Sequence, residues 1–82
     1  MITIKITSLN KTINLEGLSI CFVNELGKVQ ILHNHSAMVS NILSKTIKIE
    51  QTEHNKNITI ENGYLNFKNN ICAILCDSFE MQ

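Results

Sequence analysis

Apolar residues in this chain recur at every second position almost from end to end. Ile2, Ile4 and Ile6 alternate with Thr3, Lys5 and Thr7. Ile47 and Ile49 alternate with Lys48 and Glu50, Ile58 and Ile60 with Thr59 and Glu61, Leu65 and Phe67 with Asn66 and Lys68. Successive side chains of a β-strand point to opposite faces, so this period places isoleucine on one face and polar groups on the other. Ile and Thr are β-branched and fit a pleated surface. No window of helical length carries an apolar stripe with caps. The stretch Ser36–Ser44 could form a short helix, but its pattern favours a strand.

Turn signals break the runs at short intervals: Asn10-Lys11, Glu16-Gly17, Asn24-Glu25-Leu26-Gly27, His54-Asn55-Lys56-Asn57, Asn62-Gly63 and Asn69-Asn70. Asn and Gly accept the positive φ that tight hairpins need. Eight to ten short strands are expected, near 2–8, 12–15, 18–24, 28–32, 37–42, 46–52, 56–61, 63–68 and 71–76. Many short antiparallel strands with one buried face predict an all-β fold, a small sandwich or flattened barrel over residues 1–82. With 82 residues the chain makes one domain. It contains no Pro to blunt sheet edges. Charged residues such as Lys48, Glu50 and Lys68 are expected to do so.

Charge excludes several functions. Seven basic residues balance seven acidic ones, and the basic ones are all Lys. A neutral domain without Arg lacks the electrostatic footprint of a nucleic-acid binder and the cationic face of a membrane-surface helix. No apolar run is long enough to span a bilayer, and the alternating start MITIKITS does not read as a signal peptide. Three cysteines, Cys21, Cys72 and Cys76, are an odd number for a disulfide framework. They are expected to be reduced thiols packed as small hydrophobes in a cytosolic protein.

Candidate chemistry is sparse. His33-Asn34-His35 would put two imidazoles on one strand face, roughly 7 Å apart along the chain. A zinc site would need one or two more ligands, and neither His54 nor the cysteines stand at metal-ligand spacing. A solvated loop or a packed imidazole is the better reading, and no metal, cofactor or catalytic group is expected. There is no nucleophile elbow, phosphate loop or dinucleotide fingerprint. Cys72 and Cys76 are too far apart for a CxxC redox pair. The residues alone point to a small β-domain that binds something.

The order of the features resembles a known family. Gly27, Ile31-Leu32 and His35 are followed by an apolar run. After it come Ile47-Lys48-Ile49, Ile58-Thr59-Ile60-Glu61-Asn62-Gly63-Tyr64-Leu65, Asn69-Asn70-Ile71 and Ile74-Leu75-Cys76-Asp77. This series is similar to the amino-terminal β-sandwich of F-type ATP synthase epsilon subunits, from about Ile2 to Asp77. Gln30, His33, Asn34 and Ala37 replace the usual Gly, Pro, Gly and Pro of the family's loop. Asn62 replaces the first Gly of its Gly-Gly turn. The resemblance aligns His35 with the family's loop histidine and makes His33 a substitution for Pro.

The resemblance implies a non-catalytic part of the central stalk in a proton-translocating synthase, on the cytoplasmic side of a bacterial plasma membrane. It would clasp the gamma subunit through Ser8, His35, Met38 and Ser40. The turn Glu25, Leu26, Gly27 and Lys28 would face the membrane rotor ring of c subunits. The family commonly continues into two C-terminal helices that act as an inhibitory arm. This chain stops at Phe79-Glu80-Met81-Gln82, so no helical hairpin and no inhibition of that type are expected. The alternatives from other classes are an unrelated β-sandwich adaptor and a His/Cys metal-binding protein.

Overall fold

The computed structural model describes residues 1–82 and contains ten strands and no helix. They are β1 (Ile2–Thr7), β2 (Thr12–Gly17), β3 (Ser19–Asn24), β4 (Gly27–Leu32), β5 (Met38–Ile42), β6 (Thr46–Glu50), β7 (Asn55–Glu61), β8 (Gly63–Lys68), β9 (Ile71–Leu75) and β10 (Ser78–Met81). All nine expected strands are present, with ends moved by up to two residues. The stretch 36–44 holds strand β5. The tenth strand, β10, was not anticipated: its four residues Ser-Phe-Glu-Met are too few for alternation to register.

The strands form two five-stranded sheets packed face to face. The first has the order β2-β1-β9-β8-β5 and the second β10-β7-β6-β3-β4. Alternation decides what lies between them. Ile2, Ile4, Ile6, Leu65, Phe67, Cys72 and Ile74 come from the first sheet. Ile20, Ile31, Ile47, Ile49, Ile58 and Phe79 answer them from the second. Burying an isoleucine side chain is worth roughly 1.5–3 kcal/mol, so this layer is the main source of stability.

Two expectations are corrected. Pairing is not antiparallel throughout, because β1 runs parallel to β9 with Ile4 opposite Cys72 and Ile6 opposite Ile74. The chain thereby inserts its first strand between β2 and β9, giving Ile2, Ile4 and Ile6 zero exposure. Nor do the expected charges guard the edges. Lys48 and Glu50 lie on β6, the middle strand of its sheet, and Lys68 lies on β8, one strand in. The edge strands are β2, β5, β4 and β10, and β5 carries no charge at all.

Short corners carry the chain between sheets. At the β2–β3 corner a Cβ on Gly17 would stand 2.8 Å from Cγ2 of Ile49 and 3.2 Å from the Glu50 carbonyl oxygen, so the sheets approach too closely for any side chain there. Asn62, at φ 51°, turns the chain from β7 into β8. Asn69 and Asn70, at φ 52° and 61°, make the two-residue turn of the β8–β9 hairpin. Such left-handed pairs match the twist of the flanking strands.

Candidate docking faces

The outer face of the first sheet is built by register. One cross-strand row runs Thr7, Leu75, Tyr64, Asn41. The next runs Lys5, Ala73, Asn66, Val39, and a third holds Thr3, Ile71 and Lys68. Val39, Tyr64, Ile71 and Leu75 are 59%, 44%, 53% and 60% exposed. They come from strands β5, β8 and β9, and pairing gathers them on one outer face that ends at the uncharged edge strand β5. Apolar patches of this kind, rimmed by polar residues such as Lys5 and Lys68, mark interaction surfaces. Nothing in the local sequence singles these residues out. Only the strand order brings them together.

The turn Glu25–Lys28 closes the β3–β4 hairpin. Asn24 Oδ1 accepts a hydrogen bond from the Leu26 amide at 2.9 Å, and Gly27 takes φ 119° with open space around it. This fixes the turn and leaves Leu26 94% exposed. Beside it, Cys21, Val23, Lys28, Gln30 and Lys48 line a shallow groove of about 410 Å³ on the outer face of the second sheet. Deeper in that sheet, Ser19 donates a hydrogen bond to Glu50 and Gln30 donates another to it at 2.9 Å. The Ser19 hydroxyl, Lys48 and Gln30 together hold the Glu50 carboxyl below its ordinary pKa.

The candidate gamma-facing residues are distributed around the first sheet. Ser8 sits in the β1–β2 turn, where its amide donates to the Lys11 carbonyl at 2.9 Å. His35 lies at the opposite end, in the loop between β4 and β5. Its ring meets Phe67 edge to face at 6.0 Å, and Nδ1 pairs with the Ser36 carbonyl at 2.8 Å. Met38 leans against the core. Ser40 points inward, 7% exposed, and its hydroxyl accepts from Asn24 Nδ2 at 3.0 Å and donates to the Asn41 carbonyl at 2.8 Å. The surface that β5 offers is therefore Val39 and Asn41.

The His33–His35 loop is pinned by amides. The Asn34 amide donates to Asn70 Oδ1 at 2.6 Å, and Asn70 Nδ2 donates back to Asn34 Oδ1 at 3.2 Å. His33 turns instead toward Met1, with Nδ1 3.3 Å from its carbonyl oxygen. The two imidazoles thus have separate partners, and no three His, Cys, Asp or Glu side chains converge anywhere in the molecule. Burial pushes the Cys72 thiol up to about 12, and burial with the neighbouring Asp77 raises that of Cys76. Both thiols are held neutral. All three cysteines are free.

Comparison with known proteins gives a consistent result. The family model for the ATP synthase delta/epsilon chain β-sandwich domain matches residues 1–82. The ATP synthase epsilon chain of Levilactobacillus brevis is 26% identical over 69 residues, covering 84% of this chain and 50% of its own length. The chain spans about half the length of that curated relative. Among solved structures, a chain of the Euglena gracilis mitochondrial ATP synthase (OSCP/F1/c-ring) superposes with TM-score 0.86 at 15% identity, covering 98% of this chain and 52% of that one. A chain of the Tetrahymena thermophila mitochondrial ATP synthase central stalk and c-ring gives TM-score 0.80 at 16% identity, covering 96% and 65%. These likenesses concern the fold.

Proposed function

From the premise that the chain belongs to the family of ATP synthase delta/epsilon β-sandwich domains, we propose that it is a non-catalytic component of the synthase's central stalk, fastened to the gamma subunit by the outer face of its first sheet. The turn Glu25–Lys28 faces the membrane rotor ring of c subunits, so that rotation driven by proton flow reaches gamma without slip. The assembly lies on the cytoplasmic face of a bacterial plasma membrane. Such a role asks for area and stiffness, which a β-sandwich supplies, and for no reacting group. The observation that carries the reading is the group of exposed Val39, Tyr64, Ile71 and Leu75 on the outer face of three adjacent strands, ending at the uncharged edge strand β5. Interface cores are apolar and rich in aromatic side chains, and Tyr64, the aromatic of this face, is the expected anchor.

Size-exclusion chromatography of the chain mixed with its host's gamma subunit tests this. One-to-one co-elution is the expected result. Val39→Glu and Tyr64→Ala, both on the surface, should each weaken it about tenfold or more while leaving the circular dichroism spectrum unchanged. Separate elution of a folded chain would refute the stalk reading. Retention of full affinity by both variants would move the interface elsewhere.

A further inference from the structure

The corner that carries β7 into β8 holds Asn62-Gly63, and Asn62 is the one asparagine of the chain followed by glycine. Each residue stands there for a structural reason. Asn62 takes φ 51°, a conformation that only glycine and asparagine or aspartate adopt readily. Gly63 is buried, and a Cβ on it would stand 3.1 Å from the Cδ1 methyls of Ile42 and Ile60 and 3.2 Å from Cβ of Ile42. The family's Gly-Gly turn meets both demands without a side chain. Asparagine adds a bond. Asn62 Nδ2 donates to Asp77 Oδ2 at 2.6 Å, and the Asp77 amide donates to the Glu61 carbonyl at 3.0 Å. The link between β9 and β10 is thereby clipped to the corner between the two sheets.

The same asparagine brings a reaction. Asparagine is a thermolabile residue, and a following glycine, with no Cβ, leaves its amide nitrogen the least shielded. Elsewhere the asparagines precede larger residues, such as Lys11, Ile58 and Ile71. Asn62 is exposed, within reach of water and base. We propose that Asn62 is a site of spontaneous covalent modification, conversion to aspartate and isoaspartate, and that its bond to Asp77 sets the rate. A base takes the proton from the Gly63 amide nitrogen, which attacks Cγ of Asn62. The Cγ–Nδ2 bond breaks, and ammonia leaves with the proton that the base returns. Water then adds to either carbonyl of the five-membered imide. One opening gives aspartate. The other routes the main chain through Cγ and gives isoaspartate. No oxidant or reductant takes part.

The fold holds the reacting atoms apart. The carboxamide is drawn to Asp77 by a charge-assisted hydrogen bond, and Gly63 is hemmed in by Ile42 and Ile60. Attack therefore waits for a local opening of the corner, and removing Asp77 makes that opening easier. The product cannot restore the clip. A second carboxylate faces Asp77 where an amide donated, and like charges oppose each other there. Isoaspartate also adds a methylene to backbone packed between two sheets. Each modified chain is less stable than the chain it came from.

The test incubates the purified folded chain at mildly alkaline pH and follows every asparagine by peptide mapping, with an isoaspartyl methyltransferase as a second readout. The wild type is compared with itself in urea, with Asp77→Ala and Asp77→Asn, and with Asn62→Gly. The proposal requires Asn62 to convert ahead of every other asparagine in the folded wild type. It requires conversion about tenfold or more faster in Asp77→Ala, intermediate in Asp77→Asn and fastest in urea. Asn62→Gly loses the methyl-acceptor signal and keeps its urea midpoint through the incubation, while that of the wild type falls. Circular dichroism separates faster chemistry in a folded variant from unfolding, and where Asp77→Ala does not fold, Asp77→Asn carries the comparison. Equal rates in the wild type and the folded Asp77 variants would overturn the gate. An Asn62 that stays intact in the folded wild type while the urea sample converts, or earlier conversion at another asparagine, would overturn the site.

Discussion

Gly17 and Cys72 illustrate how single residues are held by the packing of two sheets. The Gly17 position has no room for a Cβ, because the nearest atoms are a branched methyl in the core and a backbone carbonyl oxygen. Neither can swing aside. Gly17→Ala is therefore expected to destabilise by about 1–3 kcal/mol, read as a lower midpoint in urea. Cys72 is wholly buried, and its thiol is pushed up from 9.0 to about 12. In the unfolded chain the same thiol ionises near its ordinary value. The folded state thus holds a proton that the unfolded state releases. The resulting stability is complete below the ordinary pKa and is lost as pH rises toward 12. The slope is about 1.4 kcal/mol per pH unit within that window. Cys76, raised for the same main reason, adds in the same direction. Urea melts from pH 8 to 11 should show the fall, and Cys72→Ala should flatten most of it after its own constant loss.

The loop between β4 and β5 and the hairpin β8–β9 behave as one element because Asn34 and Asn70 clip them together. Asn70 serves twice, accepting φ 61° in the turn and bonding the neighbouring loop through its amide. Two substitutions separate these roles. Asn70→Gly keeps the left-handed backbone and loses only the clip, so about 0.5–1.5 kcal/mol should go. Asn70→Ala should lose roughly 1 kcal/mol more, because alanine resists that conformation. Hydrogen exchange at the Asn34 amide should quicken in both variants, and an unchanged rate would remove the clip from the account. The family's loop motif, with Pro and Gly where this chain has His33 and Asn34, stiffens the same segment by another route. Here two asparagines across a gap replace local rigidity.

For the molecule as a whole, the decisive contact is β1 against β9, which joins Ile4 to Cys72 and Ile6 to Ile74 across most of the chain length. Local hairpins can form early, but the first sheet is completed only when the two ends of the chain meet. Such non-local topology predicts folding in milliseconds to seconds, not microseconds. Stopped-flow refolding should give that range, and deletion of residues 1–7 should abolish the cooperative transition. A microsecond phase accounting for the whole amplitude would contradict the ordering.

Much of this architecture is legible in the sequence. Alternation marks Ile2, Ile4, Ile6, Ile47, Ile49, Ile58 and Ile60 as core, and all of them are buried. Asn62, Asn69 and Asn70 are marked as turns, and all three take positive φ. Ser40 is placed toward a partner by resemblance alone, and the internal bonds of its hydroxyl to Asn24 and Asn41 are not legible in the sequence. The candidate faces were least legible of all. Val39, Tyr64 and Leu75 lie on separate strands, and no local pattern marks their outward sides as one shared face. What the sequence determined is the secondary structure and the side of each strand that meets the core, because the pleat enforces period two within each strand. What only the tertiary structure decided is which strand lies beside which, including the parallel closure of β1 on β9, and therefore which outward residues become neighbours. Neighbour choice is a non-local outcome of burying both sheets at once, and no local pattern encodes it.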